Sequence, residues 1–154
     1  MYDFILKNPG LHERELSRRL NISRSTIRYH LYCLQKQEAV IKISEGKHNR
    51  YFAQQKIGNG DKKILQLLRQ RGTYQIVIFL LACPNSSMRV IADYTEKDPR
   101  TISFHLKKLM KIGLIECVPN GKERRFKLNN EEDIYDLICT HGGSFVNDEL
   151  NGFP

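Results

Sequence analysis

No apolar run in the 154 residues approaches the length of a membrane-spanning helix, which needs about 20 predominantly apolar residues. The densest stretch, Ile76 to Cys83, is far too short to span and fits a buried helix. No charged-then-apolar leader opens the chain. The four cysteines, Cys33, Cys83, Cys117 and Cys139, lie far apart with no C-x-x-C pair, so neither a zinc site nor a redox pair is signalled. Cys139 and His141 are the only close soft ligands, and two ligands do not make a metal site. The cysteines are therefore expected to be reduced and mostly buried as small hydrophobes. A nucleophile paired with a base, a metal-ligand set and a glycine-rich phosphate cradle are missing as well. Neither an enzyme nor a cofactor is expected.

Positive charge is absent from one end only. From Glu131 onward there is no Lys or Arg, and six acids stand there: Glu131, Glu132, Asp133, Asp136, Asp148 and Glu149. Residues 1–56 hold 11 Lys/Arg against 5 Asp/Glu, residues 57–72 hold 4 against 1, and residues 73–130 hold 10 against 5. Basic segments of this kind suit a polyanion such as nucleic acid or an anionic membrane surface. The surplus alone is weak grounds for either.

What is present is a repeat. Thr26-Ile27-Arg28-Tyr29-His30-Leu31 recurs as Thr101-Ile102-Ser103-Phe104-His105-Leu106, an offset of 75 that also carries Phe4 onto Phe79, Pro9 onto Pro84, Gly46 onto Gly121 and Arg50 onto Arg125. A register held that long implies two related modules. In the first, Tyr2 to Lys7 reads as a helix stopped at Asn8-Pro9-Gly10, Glu13 to Leu20 as a second, and Ser23 caps a third that reaches about Gln37. Ala39 to Ile43 is a strand candidate, Glu45-Gly46 a turn and Arg50-Tyr51-Phe52 the return. In the second, Asp98 caps, Pro99 opens the third helix and Gly113 stops it. Leu114 to Val118 and Arg125 to Leu128 flank an Asn120-Gly121 turn. Three helices followed by a hairpin is the order of a winged helix-turn-helix.

Ile-x-x-His-Leu-x-x-Leu, followed by an Ala/Gly-Leu/Val-Ile strand, resembles the ArsR- and MarR-type winged-helix regulators. The pair of copies is most similar to tandem winged-helix transcription regulators of archaeal type. The resemblance covers roughly residues 1–55 and 75–130. It departs where Thr95-Glu96 replace the Leu20-Asn21 of the first copy, and the ArsR cysteine metal motif is absent. It implies a mainly α protein with small β hairpins (α+β), two winged helix-turn-helix domains in tandem joined by a helix. The expected boundaries are 1–56 for the first domain, 57–72 for a helical linker, 73–130 for the second domain and 131–154 for an acidic helix and tail. The implied partner is double-stranded DNA, and the implied place is the cytoplasm, with the nucleoid.

At 100° per residue, Ile27, Leu31 and Leu34 form a core stripe on the third helix, as Ile102, Leu106 and Leu109 do in the second copy. The opposite face carries Ser25, Arg28, Tyr29, Tyr32 and Lys36 in one copy, and Arg100, Ser103, Phe104, Lys107 and Lys111 in the other. A recognition helix enters the major groove by its N-terminal half, so Arg28 or Arg100 suits a bidentate pair with guanine. Ser23, Ser25 and Thr101, with backbone N–H groups at the helix starts, suit phosphates and fix register, and Arg24 beside them is a further candidate for DNA contact. Lys36, Lys107, Lys108 and Lys111 lie farther along, toward the DNA backbone. The wings add Lys47, His48, Asn49 and Arg50, and Lys122, Glu123, Arg124 and Arg125, for a phosphate row or a narrow minor groove. The bland alternative for each cation is a solvated face, which Glu123 favours at the second wing. Tyr29, Tyr32 and Phe104 fit thymine methyls or a protein interface equally well. His30 and His105 read as packed histidines near the second helix of each copy.

Asp61 to Arg71 has apolar residues at helical spacing and reads as a helix holding the modules in fixed relation, able to serve two half-sites about 34 Å apart. Glu131 to about Cys139 reads as a helix packed on the second module, with His141-Gly-Gly-Ser and Asn151-Gly-Phe-Pro loose. A homodimer through the linker or C-terminal helix is compatible with this arrangement, and no small-molecule effector is identifiable. A first helix starting almost at Met1 is what a fragment of a longer protein would have. The leading reading is a sequence-selective transcriptional regulator that binds duplex DNA. The rival is a tandem winged-helix scaffold for protein interactions in a chromosome-organising or other multiprotein complex.

Overall fold

The computed structural model describes residues 1–54 and 58–150, without the side chains of 146–150. The 56/57 boundary and the Asn151–Pro154 segment, expected to be loose, lie outside the described residues. The chain divides into two compact units, residues 1–66 and 67–154.

The first unit begins with α1 (Tyr2–Lys7), which ends where Asn8 donates its N–H to the Phe4 carbonyl, just before Pro9 and Gly10. β1 (Leu11–His12) leads directly into α2 (Glu13–Leu20). His12 and Glu15 cap α2 reciprocally: Glu15 N–H donates to His12 Nδ1 at 3.2 Å and His12 N–H donates to Glu15 Oε2 at 2.9 Å. Asn21 takes a left-handed conformation (φ 53°), and the chain turns into α3 (Arg24–Lys36), capped by Ser23. β2 (Val40–Glu45) and β3 (His48–Ala53) complete the unit, and β3 is central in the order β1-β3-β2. The wing is therefore a three-stranded sheet; a two-residue β1 is too short to carry an alternating pattern. Ile5, Leu11, Leu16, Ile27, Leu31, Val40 and Tyr51 form the core, with Leu34 half-buried against it.

α4 (Asn59–Leu68) spans the division between units. The helix read through to Arg71 thus ends three residues earlier, and Arg71 instead opens α5 (Arg71–Ala82). β4 (Ser86–Ser87), α6 (Met88–Thr95), α7 (Pro99–Lys111), β5 (Ile115–Asn120) and β6 (Glu123–Leu128) follow. Each of these five elements starts and stops 75 residues after β1, α2, α3, β2 and β3. Thr95-Glu96 does not disturb the register. Glu96 adopts the same left-handed φ of 53° as Asn21, and the buried Thr95 hydroxyl donates back to the Ile91 carbonyl at 2.8 Å. Both hairpin loops are Gly-Lys pairs with only the glycine at positive φ (Gly46 57°, Gly121 60°), the pattern of a type II′ turn. The turn falls one residue later than the Asn120-Gly121 reading.

Two further expectations need correction. The last helix, α8 (Glu131–Leu150), does not stop at Cys139 but runs through Gly142-Gly143. Its Phe145 is buried edge-on to Tyr74 and beneath the Arg69 guanidinium, and Arg69 donates to the Ser144 hydroxyl at 2.7 Å. These contacts hold a stretch whose two glycines favour no helix by themselves. The four cysteines are free but not mostly buried: Cys83 and Cys139 are exposed, and Cys33 and Cys117 are half-buried. No helix among the described residues is long and apolar enough to cross a membrane.

Candidate nucleic-acid interface

In the first unit the buried seam of α3 turns the opposite side of the helix to solvent. Ser25, Arg28, Tyr29, Tyr32 and Lys36 are exposed, as the periodicity predicts, and so are Ser23 and Arg24 at the helix start. Ser23 Oγ accepts the Thr26 N–H at 3.3 Å and lies 2.8–2.9 Å from the Ser25 and Thr26 hydroxyls, so the helix start is a knot of hydroxyl groups. Tyr29 is 66% exposed, and the Lys36 ammonium stands 5.2 Å above the Tyr32 ring.

Sequence reasoning missed the partner of the two arginines. Glu13, the first residue of α2, accepts from Arg28 Nε at 2.8 Å and from Arg24 Nε at 3.2 Å, both on its Oε1. The arginine side chains remain 62% and 59% exposed while Glu13 is 21% exposed. Pairs this open contribute roughly 0–1 kcal/mol each, so their effect is on orientation rather than on stability. Nothing local in the sequence signals the pairing, because it forms across the helix-turn-helix.

Arg50 must be removed from the candidate set. Its side chain is buried, with Nε donating to Glu45 Oε2 at 2.8 Å and Nη1 donating to the Gly10 carbonyl at 2.9 Å. The guanidinium ties the wing, at Glu45 beside its Gly46-Lys47 turn, to the end of the first helix-loop segment, and burial keeps it from meeting a ligand. Lys47, at that tip, is exposed. His30 is exposed against Tyr29 rather than packed near α2.

In the second unit Arg100, Phe104, Lys107 and Lys111 are exposed, and Thr101 and Ser103 half-buried. Asp98 accepts the N–H groups of Arg100 and Thr101 at 3.0 and 3.1 Å and the Thr101 hydroxyl; these bonds, the Thr101 hydroxyl first, hold its carboxyl below the usual range. Thr101 is thus already engaged at the cap. Lys108 donates to Gln70 Oε1 at 3.1 Å and lies 4.6 Å over the Phe104 ring, which draws it off the outward face. At the wing, Lys122 and Arg124 are exposed, whereas Arg125 donates to the Asn85 carbonyl at 3.0 Å. His105 is packed, but against α5 rather than α6. Its Nδ1 is 3.2 Å from Thr73 Oγ1 and its ring fills the space beside Gly72. Burial, then Lys108 and Lys97, lower its pKa below the ordinary 6.5.

Between α7 and its wing lies a groove of about 440 Å³, floored by Leu106, Met110 and Phe126 and edged by Lys107, Lys122 and Arg124. Register places Glu13, Arg28 and Tyr32 of the first unit where Met88, Ser103 and Lys107 line this groove. The two exposed faces are built alike and armed differently. No cluster of three metal-ligating side chains occurs among the described residues.

The element order of each unit is that of a winged helix-turn-helix fold. Residues 2–36, from α1 to the end of α3, match the winged helix-turn-helix DNA-binding family. The chain is 32% identical over 131 residues, 84% of its length, to an uncharacterized HTH-type transcriptional regulator of Methanocaldococcus jannaschii. It spans about a third (32%) of that relative's length. Solved structures similar to it include a winged helix-turn-helix domain from Mycobacterium bovis, described as possibly of the ArsR family (21% identity, 60% of this chain and 82% of that one, TM-score 0.48). Another is a MarR protein from Peptoclostridium difficile (16% identity, 61% of this chain and 64% of that one, TM-score 0.48).

Proposed function

We propose that this chain is a non-enzymatic regulator of transcription that binds double-stranded DNA sequence-selectively, with α3 and α7 as recognition helices in the major groove. The observation that carries this reading is the exposed cationic face of α3, with Arg24, Arg28 and Lys36 opposite a fully buried Ile27-Leu31 seam. The relative from Methanocaldococcus jannaschii, named a transcriptional regulator, supports the same assignment. Arg28 and Arg100 read bases; Ser23 and Ser25 fix register on phosphates, a role that Thr101 cannot share because Asp98 takes both of its donors; Lys36, Lys107 and Lys111 meet the backbone. Lys47, Lys122 and Arg124 place the two wings on the backbone or in the minor groove.

Exposed aromatics favour a second reading. Tyr29, Tyr32 and Phe104 stand on the proposed DNA face, and Tyr94 is exposed as well; a protein-interaction scaffold would use such groups as anchors. Selection of bound sequences from a pool of random duplexes separates the two. A regulator enriches a defined sequence, with guanine at one or more positions; a scaffold enriches none. Sedimentation of the chain alone and with the selected duplex tests, in the same experiment, a homodimer through α4 or α8.

A further inference from the structure

We infer that Glu13 is a positioning residue that sets the base specificity of the first unit by aiming the Arg28 and Arg24 guanidinium groups at guanine. This rests on the reading of α3 as a recognition helix. A single carboxylate oxygen takes the Nε–H of both arginines, at 2.8 and 3.2 Å. A guanidinium is a rigid plane, so a bond at Nε restricts where that plane can lie, and its terminal nitrogens are left over. Those nitrogens make no hydrogen bond to any described residue, and both side chains stay more than half exposed. The free edge is the one whose two parallel N–H groups match O6 and N7 of guanine. Holding it in place beforehand lowers the ordering cost of the contact.

A carboxylate on a phosphate-facing surface would otherwise be a liability, since it repels the ligand. Its location under two arginines rather than at the rim gives it a use. The second unit supplies the contrast. At the registers of Glu13, Arg24 and Arg28 stand Met88, Pro99 and Ser103, and a groove is open where Met88 and Ser103 lie. Its Arg100 occupies the register of Ser25 and its side chain has no carboxylate anchor among the described residues. Guanine selectivity of this kind therefore belongs to the first unit, and the two halves of the bound sequence differ.

The test uses the full chain and a duplex obtained by selection from a random pool, with versions in which each G·C pair is replaced by A·T. Arg28→Ala identifies the guanine that α3 reads. Glu13→Ala should then lower the preference for that guanine by about tenfold, with affinity for the replaced duplex unchanged or higher. Glu13→Gln, which keeps the acceptor oxygen, should restore most of the preference. If Glu13→Ala instead raises affinity for every duplex equally and leaves the preference intact, the carboxylate only screens charge and the inference is wrong. If Arg28→Ala leaves base preference untouched, or the wild-type chain binds no duplex, the recognition-helix reading has failed and this inference falls with it.

Discussion

A cation on a winged helix either holds the fold or meets solvent, and Arg50 and Arg28 divide along that line. Arg50 is 7% exposed and satisfied by Glu45 and the Gly10 carbonyl. Arg50→Ala leaves that acceptor pair without its donor and should destabilise the chain by roughly 1–3 kcal/mol, read as a lower midpoint in thermal unfolding. Any loss of DNA affinity should disappear well below that midpoint; a persistent loss at low temperature would return Arg50 to the interface. Arg28→Ala should do the reverse, leaving stability near wild type and relaxing base preference by about 1–3 kcal/mol. The histidines set a pH dependence. Burial, as the larger cause, holds His12 and His105 below their ordinary 6.5. The unfolded chain therefore binds protons more readily near that pH. Stability is full above 6.5 and falls as pH drops below it. Unfolding midpoints measured at about pH 7.5 and about pH 5.5 should differ in that direction, and His105→Gln should shrink the difference. An unchanged difference would mean that His105 titrates normally. The outward faces of α3 and α7 were legible because a 3.6-residue period fixes which side a leucine seam leaves exposed. The fate of Arg50 was not, because Gly10 lies forty residues away and only the folded sheet brings the two together.

At the scale of elements, local chemistry and register agree across the two units except at single residues that invite exchange. Glu38 and Gly113 occupy equivalent positions after α3 and α7, and both are left-handed, at φ 54° and 72°. The left-handed penalty of ~1–2 kcal/mol for a residue with a Cβ exceeds the ~0.5–1 kcal/mol entropy cost of glycine. Glu38→Gly should therefore stabilise the first unit by about 0.5–1 kcal/mol, measured by denaturant unfolding; destabilisation would show that the Glu38 side chain has a role. The packing of α5 on α7 is less forgiving. A Cβ at Gly72 would lie 2.5 Å from His105 Nε2. Gly72→Ala should cost roughly 1–3 kcal/mol despite alanine's better helix propensity, and a gain would mean that the histidine swings aside freely. Helices with clear caps, such as those opened by Ser23 and Asp98, could be read to within a residue. The two-residue strands β1 and β4 could not, being shorter than any period. Nor could the second half of α8, since its order comes from Phe145 and Ser144 meeting Tyr74 and Arg69 far away in sequence.

The whole molecule is two units of one plan, each presenting a cationic helix and a wing, and the second ends in an acidic helix. Such a surface gains duplex affinity chiefly by releasing counterions from phosphate, which makes binding depend steeply on salt. The measurement that bears most directly on this is the affinity of the full chain for the selected duplex across a series of salt concentrations. Binding should weaken linearly in log–log form, and removal of a backbone lysine such as Lys36 or Lys107 should reduce the slope by about one. A flat response, or slopes that ignore those lysines, would contradict DNA binding through these faces.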